Sequence, residues 1–340
     1  ESLGAIKGAI RMKTGLVLGR FLPPHLGHQY LIDFARNYAD ELLLIVGTRP
    51  DDPIAGELRV AWIKEMAPNA RVIHVNDENP EETHPQFWLI WEQTLRAALP
   101  FIPDYLFASE DYGWKLAELL GMQYIPVNHA RTLVPISATR IRSDPMAYWQ
   151  YVPPLVRPYY VKRVCIFGPE STGKSTLAID LARHFQTVYV EEYARGLLDP
   201  KNGVCDYEDI EKIARGQRAS EQALARQANR ILFCDTDLLT TTIWSEVLFG
   251  TCPAWIYEAA DAMTYDLYLV MNIDVPWVDD NQRYLADKRQ EFLDLCIQAL
   301  EERNRPYIII SGTWEERFAQ AVQAVEPLLH FENPSTTSSQ

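Results

Sequence analysis

Positive charge is scarce. The 340 residues carry 32 Lys and Arg against 46 Asp and Glu, a formal net charge of −14. That balance argues against a general nucleic-acid surface, and any phosphate-handling site must gather its cations in pockets. Cysteine is scarce and odd in number: Cys165, Cys205, Cys234, Cys252 and Cys296, with no C-x-x-C pair. Cys165 and Cys234 lie in apolar, strand-like runs, where a thiol behaves as a small hydrophobe. Buried free thiols are therefore expected rather than disulfides or a zinc site, in a reducing cytoplasm. No apolar run reaches membrane-span length, and the N-terminus lacks the small-residue cleavage pattern of a secretory signal, so no membrane partner is expected. No internal repeat is evident.

The length suits two domains, each able to bury its own core, and the composition, 47% hydrophobic and 23% charged, is ordinary for a globular protein. Apolar strand-like runs alternate with helical patterns twice over. In the first half "TGLVLGRF", "ELLLIVGT", "ARVIHVN" and "DYLFAS" read as strands, with "HQYLIDFARNYA", "ELRVAWIKEMA" and "FWLIWEQTLRAAL" as helices between them. Tyr30, Leu31, Phe34, Ala35 and Tyr38 fall on one helical face. "WQYVPPLVRPYY" places three prolines within six residues and reads as a connector. The alternation then restarts with "VKRVCIFG", "TVYVEE", "ILFCDTD", "DLYLVMNID" and "PYIIIS" as strands, and a long helix is expected from Tyr207 to Arg230. The pattern predicts an α/β protein of two parallel-sheet domains in tandem. The expected divisions are an extension at 1–12, domains at 13–150 and 161–330, a linker at 151–160 and a disordered polar tail at 331–340.

The second half opens on "GPESTGKST". Gly168, Gly173, Lys174 and Ser175 fit G-x-x-x-x-G-K-[ST] without departure, after an apolar strand and before an amphipathic helix. Glycines let backbone N–H groups wrap phosphates, and the helix that follows points its positive end at the anion. Lys174 should reach the β- and γ-phosphates and Ser175 should ligate Mg²⁺, with Pro169, Glu170, Ser171, Thr172 and Thr176 completing the ATP contact. Acceptor chemistry belongs at the strand ends. Glu192 and Arg195 follow the second strand, and Asp235 and Asp237 the third. Glu192 and Asp235 suit proton transfer or Mg²⁺ binding. Asp237 is equally suited to substrate or to capping the helix from Leu238. Arg283, Lys288 and Arg289 form a candidate cationic lid over the transferring phosphate.

The first half holds a second phosphate device. "GRFLPPHLGH" follows the first strand and places His25 and His28 three apart at a helix start, with Gly19, Arg20, Phe21 and Gly27 around the nucleotide. A packing pair or a metal site is an alternative, but no further ligand stands at metal-like spacing. Downstream, "ISATRIR" offers the hydroxyls of Ser137 and Thr139 at a helix start and the guanidinium groups of Arg140 and Arg142. The pairing of H-x-G-H with I-S-x-T-x-x-R resembles the nucleotidyltransferase superfamily that contains adenylyltransferases. It implies direct adenylyl transfer with no covalent enzyme intermediate. Trp88 and Trp91, also three apart, suit either core packing or stacking on a flat cationic ring.

With "EYAR", "DTDLLTT" and "WVDD" in the second half, the chain resembles the bifunctional nicotinamide-mononucleotide adenylyltransferase/ribosylnicotinamide kinase (NadR-type) family from about Lys13 to Leu329. The resemblance implies phosphorylation of nicotinamide riboside in the second domain and adenylylation of nicotinamide mononucleotide to NAD in the first, with ATP and Mg²⁺. It assigns Trp88 and Trp91 to nicotinamide, matches Arg59 and Trp62 to an RxxW element, and matches Ser109 and Glu110 to an acceptor-side turn. Two positions depart from the family pattern: Asn281 stands where WVDDG-x-R has Gly, and Gly196 replaces the last acid of EYARE. Too few residues precede the first strand for the helix-turn-helix that many members carry, so DNA binding is not expected of this chain. A coenzyme A synthase joins similar devices but has no need of the tryptophan pair, and a nucleotide sensor would turn over little ATP. The sequence leaves the oligomeric state open, a homo-oligomer included.

Overall fold

The computed structural model describes residues 11–76, 79, 83–130, 132–278 and 286–330. The chain divides into two compact units after Val156, inside the proline-bearing stretch. Each unit is an open parallel sheet with helices on both faces.

The first unit runs β1 Thr14–Gly19, α1 Leu26–Tyr38, β2 Glu41–Thr48, α2 Gly56–Met66, β3 Arg71–Asn76, α3 Phe87–Ala98, β4 Tyr105–Ala108, α4 Tyr112–Leu120, β5 Gln123–Pro126 and α5 Ala138–Ser143. Its strand order is β3-β2-β1-β4-β5, all parallel. Alternate residues of one strand feed two cores. Val17, Leu44 and Phe107 pack with Ile32 and Ala35 on one face, while Leu16, Leu43 and Leu106 pack with Leu95 and Leu116 on the other. Burial on both faces is why these strands read as continuous apolar runs. The chain reverses its direction of travel across the sheet between β1 and β4, where the strand ends leave a crevice for ligands. One expectation for α1 needs correcting. Tyr30 and Tyr38 are exposed, and Ile32, at 0% exposure, takes the buried face with Leu31 and Ala35.

The second unit runs α6 Arg157–Tyr160, β6 Lys162–Phe167, α7 Lys174–His184, β7 Tyr189–Val190, α8 Tyr193–Leu198, α9 Tyr207–Ala225, β8 Ile231–Asp235, α10 Leu238–Phe249, α11 Ala254–Ala262, β9 Leu267–Met271, α12 Arg289–Glu302, β10 Tyr307–Ile310 and α13 Trp314–Val325. The order is β10-β9-β6-β8-β7, again parallel. A reciprocal capping box between Asp206 and Asp209 starts α9. The helix stops at Ala225, short of the expected Arg230, which adopts a left-handed φ of 68° just before β8. All five cysteines are free, four of them buried and Cys205 partly exposed. No helix among the described residues is long and apolar enough to cross a membrane.

Two candidate nucleotide sites

In the first unit the chain leaves β1 at Gly19 and enters α1 through His25, the helix N-cap. Nδ1 of His25 accepts from the backbone N–H of Gly27 at 3.1 Å and of His28 at 3.3 Å. Nδ1 of His28 accepts in return from the N–H of His25 at 3.3 Å. The two histidines thus form a capping box, with rings stacked at 3.7 Å between centroids. Because each Nδ1 is an acceptor, the proton of the neutral ring sits on Nε2, and both rings are held as Nε2–H donors. Gly27 leaves no room for a side chain here: a Cβ would lie 2.9 Å from His25 Cε1.

These groups line a cavity of about 500 Å³ together with Gly19, Arg20, Phe21, Ser137, Thr139 and Arg142. Ser137 caps α5, accepting from Arg140 N–H at 3.3 Å. Arg142 donates to the carbonyl of Leu22 and to Thr139 Oγ1, tying "ISATRIR" to the loop after β1. Arg140 is not brought to the cavity. Its guanidinium lies 4.5 Å from the centre of the Tyr148 ring and bonds the phenol oxygen. On the acceptor side Trp88, Trp91, Ser109 and Glu110 line the same cavity, joined by Phe87, Tyr112 and Asn128, which sequence reasoning did not single out. Both tryptophans also pack on the core beneath α3, so core packing and cavity lining coexist.

Arg59 lies outside the cavity lining and is fully buried. Its guanidinium donates to the carbonyls of Arg20, Gly47 and Ile54 and pairs with Asp52, which also pairs with the cavity-lining Arg20. It therefore fixes Arg20 from behind. Burial pushes the Asp52 carboxyl up, but the Arg49 N–H and the charges of Arg59 and Arg20 outweigh it and hold it below the ordinary 3.8. A depressed folded value means the unfolded chain takes the proton first as pH falls. This contribution is complete above the ordinary value and is lost as pH drops through the folded one. Asp52→Asn is accordingly expected to flatten the acid limb of denaturation, measured as urea midpoints at descending pH. Identical slopes for variant and parent would overturn this.

In the second unit the loop after β6 needs its glycines. Gly168 has φ 125°, and a Cβ there would meet the Met271 carbonyl at 3.0 Å. Gly173 has φ 85°, and a Cβ would strike the Trp314 ring at 2.4 Å. Thr172 Oγ1 and Lys174 Nζ both donate to the Pro169 carbonyl, at 2.8 and 2.9 Å. Ser175 Oγ donates to Asp235 Oδ2 at 2.5 Å. Asp235 is 2% exposed, and its Oδ1 is buried with no hydrogen-bond partner. Burial, and then the neighbouring Glu192 charge, push its carboxyl up to about 6 against the opposing pull of Lys174 and Ser175.

Beside this cluster lies a cavity of about 90 Å³ that Glu170, Lys174, Glu192 and Arg195 share with Gln217, Thr236 and Trp244. Glu192 and Arg195 are paired at 3.1 Å. Asp237 resolves toward the capping alternative, because it caps α10 through Thr240 N–H at 2.9 Å, accepts from Tyr268 and does not line the cavity. Arg289 donates to the Ser171 carbonyl at 3.2 Å and so touches the loop. Arg283 lies outside the described residues.

A cytidylyltransferase-like family matches residues 16–144, and an AAA domain family matches residues 163–317. The trifunctional NAD biosynthesis/regulator protein NadR of Escherichia coli (strain K12) is 31% identical over 340 residues, covering 93% of this chain and 83% of that protein. The chain belongs to the NadR family. The NadR of Salmonella typhimurium is 30% identical over the same shares of the two chains. Among solved structures, a NadR protein in complex with NAD and AMP-PNP aligns with a TM-score of 0.72 at 24% identity, over 95% of this chain and 98% of that one. A NadR protein in complex with NR gives 0.72 at 23%, over 94% and 97%. These two likenesses show the fold, and the place in a NAD biosynthesis family rests on the Escherichia coli and Salmonella relatives.

The NadR-family P-loop also fits a divalent cation. The Ser175 hydroxyl and the Asp235 carboxylate, with its orphaned buried oxygen, form an all-oxygen set of the kind Mg²⁺ takes.

Proposed function

We propose that this chain makes NAD in two steps: the second unit phosphorylates nicotinamide riboside with ATP, and the first adenylylates the resulting mononucleotide with ATP, releasing pyrophosphate. The observation that carries the reading is the pair of separate phosphate devices, the His25–His28 capping box and the Gly168–Thr176 loop, each at the end of its sheet's central strand. The ligands of the related NadR structures, NR, NAD and AMP-PNP, support the same choice of small molecules. The free thiols fit a reducing cytoplasm.

In the phosphorylation, Lys174 and the N-terminus of α7 hold the phosphates while Glu192, facing the small cavity, accepts the proton of the riboside hydroxyl. Ser175 and Asp235 would hold Mg²⁺, whose charge counters that of the β- and γ-phosphates. In the adenylylation, the mononucleotide phosphate attacks the α-phosphorus of ATP in line. His25 and His28 donate from Nε2 to phosphate oxygens, Arg142 and the hydroxyls of Ser137 and Thr139 hold the departing pyrophosphate, and Trp88 and Trp91 clasp the pyridine ring.

The test is to assay the two half-reactions separately, as ADP from the riboside and pyrophosphate from the mononucleotide. A folded protein that produces neither sinks the reading. Gly27→Ala probes the first device specifically. The added methyl displaces the His25 ring, and adenylylation should fall by roughly tenfold or more with phosphorylation unchanged. An unaltered rate of pyrophosphate release would show that ring placement does not matter.

A further inference from the structure

The phosphate loop of the second unit is gripped from outside by the first turn of α13. Arg317 is 1% exposed, among the most deeply buried charges in the chain. Its Nε donates to the Gly312 carbonyl at 2.9 Å, Nη1 to the Thr172 carbonyl at 3.1 Å, and Nη2 to the Asn272 carbonyl at 3.1 Å and to Asp274. Asp274 in turn accepts from the Gly312 N–H at 2.7 Å. One guanidinium thus ties together three segments at the ends of three neighbouring strands: the loop after β6, the exit of β9 and the turn after β10. Three residues earlier on the same helical face, Trp314 lies against Gly173, close enough that a Cβ there would fall 2.4 Å from its ring. Its indole centre is 5.5 Å from the Arg317 guanidinium.

Burying a guanidinium is costly, and a hydrophobic residue of similar volume often serves stability as well or better. Stability alone is therefore a weak reason for this arrangement. The bonds made are specific: the three nitrogens of a planar fork each take a different carbonyl, a spread that one ammonium nitrogen does not reproduce and an apolar side chain cannot satisfy. Thr172 is consequently fixed at both ends, its hydroxyl on Pro169 and its carbonyl on Arg317. The peptide groups of Gly173 and Lys174, which open α7, follow directly from it.

We propose that Arg317 is a positioning residue for the phosphate loop: it acts through the Thr172 carbonyl to aim the loop's N–H groups at the nucleotide, and it touches no substrate itself. This rests on the reading of the second unit as a nucleotide-dependent kinase.

The experiment compares Arg317→Met, Arg317→Lys and Arg317→Ala, the last with and without millimolar guanidinium, in the full chain. The expected result for Met and Lys is a fall of roughly 100-fold in kcat/KM for ATP in riboside phosphorylation. KM for the riboside and the rate of adenylylation should stay unchanged. Guanidinium should restore part of the Ala variant's ATP dependence, and the Lys variant, which keeps the charge but not the fork, should stay defective. The proposal is overturned if the KM for the riboside shifts as much as the parameters for ATP, if Lys rescues, or if Met behaves like the parent. If Met does not fold, judged by circular dichroism and by loss of adenylylation, Lys and Asp274→Asn decide the question, with the same split expected at smaller size. Should the parent chain make no ADP with the riboside, the acceptor reading fails. Arg317 is then judged by the part of non-hydrolysable ATP-analogue binding that Lys174→Ala removes, which Arg317→Met should also remove.

Discussion

Lys174→Ala is expected to lower phosphorylation of nicotinamide riboside by roughly 10²–10³-fold while pyrophosphate release from the mononucleotide continues at the parental rate. Lys174 is the first residue of α7, and its ammonium is folded back onto the Pro169 carbonyl at 2.9 Å, beside the Ser175–Asp235 pair. The other phosphate-holding groups within Gly168–Thr176 are backbone N–H groups and hydroxyls, so the substitution removes the loop's own full positive charge. The cost to folding is small by comparison. One hydrogen bond to a carbonyl is lost, worth about 1 kcal/mol. Measuring ADP and pyrophosphate in parallel on one preparation separates the two effects. Loss of both activities in a protein with parental circular dichroism would defeat the independence of the sites, and survival of ADP formation would defeat the role of Lys174.

The residues that were legible in sequence are those whose chemistry is local. A glycine loop between strand and helix, two histidines at a helix start, and hydroxyls and a guanidinium at another helix start each carry their meaning within ten residues. The structure gathers most of them around two cavities. Sequence reasoning missed groups whose partners are backbone carbonyls. Arg317 was not singled out, and Arg59 entered only through its match to the RxxW element; both are buried and satisfied by main-chain oxygens from distant segments. A carbonyl leaves no mark on residue identity, so no spacing rule finds such a contact. Gln217 is similar: its amide joins the Tyr193 N–H to the carbonyls at the end of β8. Arg140 shows the converse. It sits in the motif but turns onto Tyr148, because side chains two apart at the start of a helix point to different sides. β5 escaped notice because only Ile125 of its four residues is buried, too short a run to show a period.

His28→Ala should do the reverse of Lys174→Ala, cutting adenylylation by roughly 10²–10³-fold and sparing phosphorylation. The argument has a complication, because His28 has two occupations in this fold. Its Nδ1 accepts the His25 N–H in the capping box, and its ring stacks on that of His25. Losing a cap costs about 1 kcal/mol of helix stability, and His25 would lose its stacking partner while keeping the bonds from the backbone N–H groups of residues 27 and 28. A fall in rate after His28→Ala therefore mixes lost donation from Nε2 with lost placement of His25. His28→Asn separates them: its side-chain oxygen can still accept the His25 N–H, while no donor reaches as far as imidazole Nε2 does. If donation is what matters, Asn and Ala should be equally slow although Asn is the more stable of the two. If Asn recovers most of the rate, His28 serves the cap alone and the catalytic donor must be His25.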